Sequence, residues 1–396
     1  MLQQQRLLTP GPTPIPTAVR LAMASEMIHH RKPAFKEVLH KVSRQLQILF
    51  GTSQPVLPLS CSGTGAMTAA VFCLFALNET VLVVEAGFFG RRWREIAQAR
   101  GLNVVSLTVD WGQAVDPEAV KKILDEQPTI RGVLIQLSET STGVLHPVEE
   151  IARITRQRDL LLLVDGISAV GISPCPMDTW GIDCLLTGSQ KGLMCPPGLA
   201  LIALSSRAWE KAATVPNGNF YFNLIKEREK LEKDQTNFTS PVSLILGLQA
   251  SLDYMLSCGL ETVYRKQWAL TMMARTGIKI LGLQPFAPMQ YTWGLTSVRM
   301  PVGVDGVAIL QLMEQDFGVV MAGGQEQLKG RIVRIGHMGW VDWADLAAGL
   351  HAMAEALNTC NGFTAANDYL ESALSAYRAA LAGSSGVEPD LPRISG

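Results

Sequence analysis

Asp165 closes the apolar run Leu160-Leu161-Leu162-Leu163-Val164, and Lys191 follows a second run, Cys184-Leu185-Leu186, by way of Thr187-Gly188-Ser189-Gln190. Such runs are expected to be buried strands, and in open α/β sheets the carboxyl ends of the strands face the ligand crevice. One carboxylate and one amine are therefore set at neighbouring strand ends, toward a cleft. Lys191 stands between Gly188 and Gly192, ahead of Pro196-Pro197, in an otherwise apolar segment. A charge there is costly unless it is used or paired. A desolvated lysine has a lowered pKa and can condense with a carbonyl as a Schiff base. The pair suits a cofactor with a cationic ring nitrogen at one end and an aldehyde at the other. Singly, each residue has a plainer reading, Lys191 as a surface lysine and Asp165 as a cap for the segment after it.

A third feature lies earlier in the chain. Ser62-Gly63-Thr64-Gly65 sits between an apolar run and a helical pattern, so its backbone N–H groups and hydroxyls stand at the positive end of a helix, where a phosphate can be held. Its spacing is not that of a P-loop, because no lysine is in place. A cap is the plainer reading here too. Taken together, an amine for an aldehyde, a carboxylate for a pyridine nitrogen and a cup for a phosphate are what pyridoxal phosphate requires, usually with an aromatic face over the ring.

The elements that must position these residues show in the alternation of helical patterns with short β-branched or leucine-rich runs. Helices are expected over 65–77, 91–100, 117–127 and 147–158, and strands over 81–84, 104–108, 132–137, 160–164, 184–187 and 199–204, which predicts βαβ units and a mostly parallel sheet. Asp116-Pro117 and Pro147 mark helix starts. Before this, residues 1–20 are proline-rich and expected as an extended arm. Phe35, Val38, Leu39, Val42, Leu46 and Leu49 follow helical spacing up to Gly51, read as core packing closed by a C-cap. After Ser205 the alternation stops, and residues 226–237 read as a mobile polar stretch. Long helices follow over 242–257 and 260–281, the second expected to link two domains. A smaller α/β unit then reads as strand 295–300, helix 305–316, strands 318–321 and 331–335, and helix 343–357 capped by Asp342. The expected organisation is thus an arm over 1–20, a large cofactor-binding domain over 21–258, a small C-terminal domain over 259–382 and a flexible Gly/Ser/Pro-rich tail over 383–396.

The chain has 396 residues, 47% hydrophobic and 17% charged, with a formal net charge of −1. That length divides naturally into two domains, and the apolar balance leaves room for a subunit interface. Without basic runs there is no electrostatic footprint for nucleic acid or an anionic membrane, and neither is an expected partner. The seven cysteines, at 61, 73, 175, 184, 195, 258 and 360, form no C-x-x-C pair, so neither a metal site nor a disulfide framework is expected. The most apolar stretch, 65–77, is too short to span a bilayer, and the N-terminus shows no signal-peptide core. A cytoplasmic protein is expected.

Asp165-Gly166-Ile167-Ser168-Ala169-Val170-Gly171, Gly188-Ser189-Gln190-Lys191 and Pro196-Pro197-Gly198 resemble the class V pyridoxal-phosphate aminotransferases, in their alanine/serine–glyoxylate aminotransferase branch. The resemblance runs from Thr9-Pro10-Gly11-Pro12 through Ser62-Gly63-Thr64 and Glu139-Thr140-Ser141-Thr142-Gly143 to Arg334-Ile335-Gly336. It implies fold type I, the aspartate aminotransferase-like architecture, and transfer of an amino group from serine or alanine to glyoxylate or a similar small 2-oxo acid. Lys191 would be the Schiff-base lysine that shuttles a proton between the amino acid's Cα and the cofactor, and Asp165 would keep the pyridine nitrogen protonated. Phe89 matches the ring-stacking aromatic and Thr140 the donor to the phenolic oxygen. Ser62, Gly63, Thr64 and Gln190 fall at phosphate-cup positions, and Ile167 among the cofactor-binding positions. Arg334 resembles the arginine that clamps the substrate carboxylate, in keeping with its planar fork. The resemblance further implies a homodimer whose partner subunit lends phosphate ligands from a loop aligning with Thr236 and Thr239; position 236 is Thr where some relatives have Tyr. His29, His30 and Arg31 resemble an early motif lining the site or the dimer edge.

Two rival readings remain open on sequence. A class V lyase of the cysteine desulfurase type has histidines where Gln190 and Phe89 stand, and a mobile catalytic cysteine. A non-catalytic subunit of a redox complex, a soluble-hydrogenase label carried within this family, would call for cysteine clusters at ligand spacing.

Overall fold

The computed structural model describes residues 4–216, 219–360 and 363–383. Its largest sheet has seven strands, in the order Val56–Leu59, Ala200–Leu204, Cys184–Gly188, Leu161–Asp165, Ile130–Gln136, Thr80–Glu85 and Asn103–Thr108. All run parallel except Ala200–Leu204, which is antiparallel to both neighbours. Leu161–Asp165 and Cys184–Gly188 are buried along their whole length, as strands covered on both faces must be. They pair directly, Leu163 opposite Cys184 and Asp165 opposite Leu186. Asp165 therefore ends one strand beside the strand that leads to Lys191, the arrangement that the two apolar runs predict.

The helices between the strands are Gly63–Leu74, Phe88–Arg100, Pro117–Glu126 and Val148–Arg156. Asp116 caps the third by accepting from Glu118 N at 3.0 Å, whereas Pro147 is itself the N-cap of the fourth. Gly51 closes helix Pro33–Phe50 in the left-handed region, at φ 59°, where the missing Cβ removes the steric cost.

A second, four-stranded sheet is antiparallel throughout, in the order Gln284–Pro285, Leu295–Arg299, Ile332–Gly336 and Ala322–Gly323. Two hydrophobic clusters lie against the two sheets. The helices Val242–Cys258 and Leu260–Ile280 meet at Gly259 with a bend of 89°. The second passes from one cluster to the other, since Leu260, Tyr264 and Trp268 pack in the larger and Leu270, Met273 and Ile278 in the smaller. Among the described residues no single helix is long and apolar enough to cross a membrane.

Several expectations need correction. The arm is extended only in part: Arg6–Leu7 pairs as a parallel strand with Val319–Val320, but a helix, Thr17–Met23, begins before residue 20. The polar stretch 226–237 holds most of a helix, Leu224–Leu231, capped by Asn223 through a bond from Lys226 N. Strand Val56–Leu59 and helix Tyr369–Leu381 were not foreseen. Apart from Gly383, the tail expected over 383–396 lies outside the described residues.

The arm is fastened where it crosses the second sheet. Gly336 N donates to Leu8 O at 2.6 Å, and a Cβ on Gly336 would lie 2.1 Å from Thr9 O. Gly336→Ala is expected to displace the arm at a cost of about 1–3 kcal/mol, the usual range for overpacking. Faster proteolytic cleavage within residues 6–16, with a lowered melting temperature, is the expected result; unchanged cleavage would show that the arm does not depend on this contact.

Candidate active site

Lys191 and Asp165 are both buried, at 9% and 5% exposure. The Lys191 amine donates to the Pro10 carbonyl of the arm. Thr13 adds two clasps on the same loop, its N–H to Gln190 O at 3.2 Å and its hydroxyl to Lys191 O at 3.1 Å. Gly11, at φ +121°, leaves room for the lysine, since a Cβ there would lie 2.5 Å from Nζ. Burial brings the Lys191 amine down to about 8; the Arg334 cation pushes the same way and Asp165 opposes it. Burial also pushes the Asp165 carboxyl up to about 7, against a 2.8 Å hydrogen bond from Ile167 N; Glu139 adds to the rise, and Lys191 and Arg92 oppose it.

This shift has a consequence for the cofactor-free chain. Between about pH 4 and 7 the folded carboxyl holds a proton that the unfolded one has released, so its contribution to stability falls as pH rises through that window. Asp165→Asn removes the titration while keeping an acceptor for Ile167 N. The melting temperature of the cofactor-free variant should therefore fall less than that of the parent between pH 4 and 7, by a few degrees. Parallel curves would mean that Asp165 is not driven toward its neutral form.

Helix Gly63–Leu74 presents its N-terminus through Ser62, whose hydroxyl makes no capping bond. Gly63 packs on Ile167, with the Ile Cδ1 2.3 Å from where a Cβ would stand. Thr64 Oγ1 accepts from Arg92 Nη1 at 3.0 Å, and that guanidinium lies 5.0 Å from the centre of the Phe89 ring. Phe89 itself is half-buried and outside the apolar core, which disfavours a packing role for it. The Gln190 amide oxygen is buried without a partner.

Thr140 exchanges a 2.8 Å hydrogen bond with Ser168, and its carbonyl accepts from Arg334 Nη1 at 3.1 Å. Arg334 Nε donates to Gly323 O at 2.8 Å. Two carbonyls from different segments thus fix the plane of the guanidinium and leave the rest of its fork for an anion. Burial lowers Arg334 to about 10, and Glu139 counteracts this.

Sequence reasoning quoted Glu139 but gave it no task. Its carboxylate is fully buried and accepts from Phe89 N at 3.2 Å, Gly90 N at 3.0 Å, and both Ser141 N and Ser141 Oγ, at 3.1 and 2.5 Å. It therefore ties the turn carrying Phe89 to the segment carrying Thr140. Arg92 was missed altogether. Glu139 stands in a motif matched to the family, beside Thr140, and Arg92 three residues after Phe89, but nothing in local periodicity marks either.

Thr236 and Thr239 have other surroundings. Thr236 Oγ1 donates to Phe238 O at 2.7 Å, and its carbonyl accepts from Arg31 at 2.6 Å. Thr239 is exposed and lines a hollow with Met27, Ile28, His29 and His30. His29 and His30 stack at 4.7 Å.

A buried amine and a buried carboxylate at adjoining strand ends and an uncommitted hydroxyl at a helix start fit the aldehyde, ring nitrogen and phosphate of pyridoxal phosphate. On a mostly parallel sheet with a smaller antiparallel one beside it, they define a pyridoxal-phosphate enzyme of fold type I. The sequence model of the aminotransferase class-V family matches residues 9–339, and the chain belongs to that family. It is 30% identical over 348 residues to a serine–glyoxylate aminotransferase of Methylorubrum extorquens, covering 85% of this chain and 87% of that one. The ureidoglycine–glyoxylate aminotransferase of Bacillus subtilis superposes with a TM-score of 0.88 at 27% identity, over 96% of this chain and 99% of that one. A relative from Synechococcus sp., 37% identical over 362 residues and covering 90% of this chain and 94% of its own, is named a small subunit of soluble hydrogenase. The family match and the glyoxylate aminotransferases among the relatives set the redox-subunit reading aside in favour of the aminotransferase.

Proposed function

We propose that this enzyme moves an amino group from serine or alanine to glyoxylate, or to a similarly small 2-oxo acid. The observation that carries the reading is the Lys191 amine, buried among Asp165, Arg334 and the arm. The two named aminotransferases above differ in donor and share glyoxylate, which supports the acceptor more firmly than the donor. The bound cofactor would supply an electron sink for the carbanion at Cα. In this reading Arg334 binds the substrate carboxylate and sets Cα within reach of Lys191. Lys191, once displaced by substrate, would carry the proton from Cα to the cofactor's C4′ atom, and in the second half-reaction from that atom to Cα of the new amino acid. Asp165 holds a proton at the ring nitrogen, Thr140 donates to the phenolic oxygen, and Phe89 and Ile167 cover the two ring faces. Ser62, Gly63, Thr64 and Gln190 bind the phosphate.

The reading also carries a cytoplasmic homodimer in which Thr236 and Thr239 complete the partner subunit's phosphate site. It keeps a large domain over 21–258 and a small one over 259–382. A lyase of the desulfurase type is disfavoured by Gln190 and Phe89, which stand where such enzymes have histidine.

The test is an absorption spectrum of purified protein during addition of single amino acids. A yellow band that shifts with serine or alanine and is restored by glyoxylate is the expected result. Protein that stays colourless with added pyridoxal phosphate would overturn the reading.

A further inference from the structure

The bend at Gly259 leaves a cavity of about 170 Å³ in its crook, room for about six waters at ~30 Å³ each. Tyr254 and Met255 wall it from one helix, Val263 and Lys266 from the next, and Met194 and Trp340 from the two loops opposite. The Tyr254 and Trp340 rings meet edge to face at 5.2 Å and remain 43% and 40% exposed, which places them at the mouth. The walls are mainly apolar, with Thr262 and Gln267 also in the lining and Lys266 as its cation.

That amine is incompletely used. An ammonium has three donors, and among the described residues Lys266 Nζ makes one hydrogen bond, to Gly339 O at 3.0 Å. Burial lowers it to about 8, while Asp342, Asp345 and Cys258 pull it back up. Neither aspartate forms an ion pair with it within 4.0 Å. A half-buried cation with spare donors at the end of an apolar slot is matched by an anion with an apolar body. Lys266 is the one cation in the lining, so it matches an anion of a single charge, and a second charge there would be left buried without a partner.

We propose that this cavity binds a small monocarboxylate with an apolar tail, its carboxylate on Lys266 and its tail between Met194, Met255 and Trp340. It is separate from the substrate site and backs onto it. Gly192 in its wall directly follows Lys191, and Gly339, which takes the Lys266 bond, lies in the loop beyond Arg334. A Cβ on Gly339 would stand 3.2 Å from Lys191 O. An occupant would thus touch the backbone at Gly192, next to Lys191, and at Gly339 in the loop beyond Arg334.

Phenylacetate is the probe, titrated calorimetrically into the holoenzyme, with uncharged 2-phenylethanol as its control. Saturable millimolar binding is expected, weakened at least roughly tenfold for 2-phenylethanol and for Lys266→Met, as the loss of a charge-assisted bond implies. Arg334→Ala should leave phenylacetate binding intact, which separates this cavity from the substrate site. Thr262→Trp, on the exposed rim, should block the mouth while keeping Lys266 and covers the case in which Lys266→Met fails to fold. Absence of binding, equal binding of the alcohol, undiminished binding by both cavity variants, or loss on Arg334→Ala would each overturn the proposal.

Discussion

Lys191→Ala should abolish transamination, lowering kcat by at least ~10⁴-fold. Positioned proton transfer is worth about 10²–10⁴ by itself, and this variant also loses the amine that condenses with the cofactor's aldehyde. The size of the effect follows from the site: Lys191 is buried, fixed to Pro10 of the arm, and poised near 8 by burial and by Arg334. Nothing else on its loop replaces it, since its neighbours are Gln190 and Gly192. The fold should survive. Asp165, Ser62 and Gln190 stay in place, so the variant should still take up pyridoxal phosphate without a covalent bond, read as cofactor removed by dialysis more readily than from the parent. A small primary amine added to the variant should restore part of the turnover, because the missing group is an amine and the space it leaves is cut to that size. Turnover within tenfold of the parent would remove Lys191 from the mechanism.

How much of this site could be read from the chain depends on how local each determinant is. Asp165 and Lys191 end apolar runs, and a fully buried strand announces itself by such a run. Gly51, Asp116, Asp305, which accepts from Val307 N at 3.0 Å at the start of helix Gly306–Phe317, and Asp342 mark helix ends by chemistry acting within one turn; the last forms a capping box with Asp345. What escaped depends on partners distant in sequence. Arg6–Leu7 is two residues long and is a strand only because Val319–Val320 lies beside it. Helix Leu224–Leu231 is mostly charged between its buried ends, Leu224 and Leu231, so its composition resembles a solvated loop although the ends are seven apart on one face. Glu139 shows a different limit. Its neighbours in sequence explain the bonds to Ser141, whereas those to Phe89 and Gly90 exist only because two strand ends adjoin.

Arg334→Ala should raise the KM for the amino-acid donor far more than it lowers kcat. Truncating one partner of a buried, hydrogen-bonded charge pair costs about 2–5 kcal/mol, which corresponds to roughly 30-fold to several thousand-fold in kcat/KM. Most of that loss should appear in binding, because the substrate carboxylate carries the same charge before and during proton transfer at Cα. Arg334→Lys separates charge from shape: a lysine keeps the cation but cannot hold Gly323 O and Thr140 O while presenting a planar fork. Its KM should fall between those of the parent and Arg334→Ala. Glu139 supplies the internal control, since it acts on Arg334 electrostatically while bonding only to Phe89, Gly90 and Ser141 among the groups described above. Glu139→Gln should therefore disturb the ring cover and the clamp together, whereas the Arg334 variants should leave cofactor uptake unchanged. An unaltered KM in Arg334→Ala would remove the carboxylate role and leave Arg334 as a brace between Gly323 and Thr140.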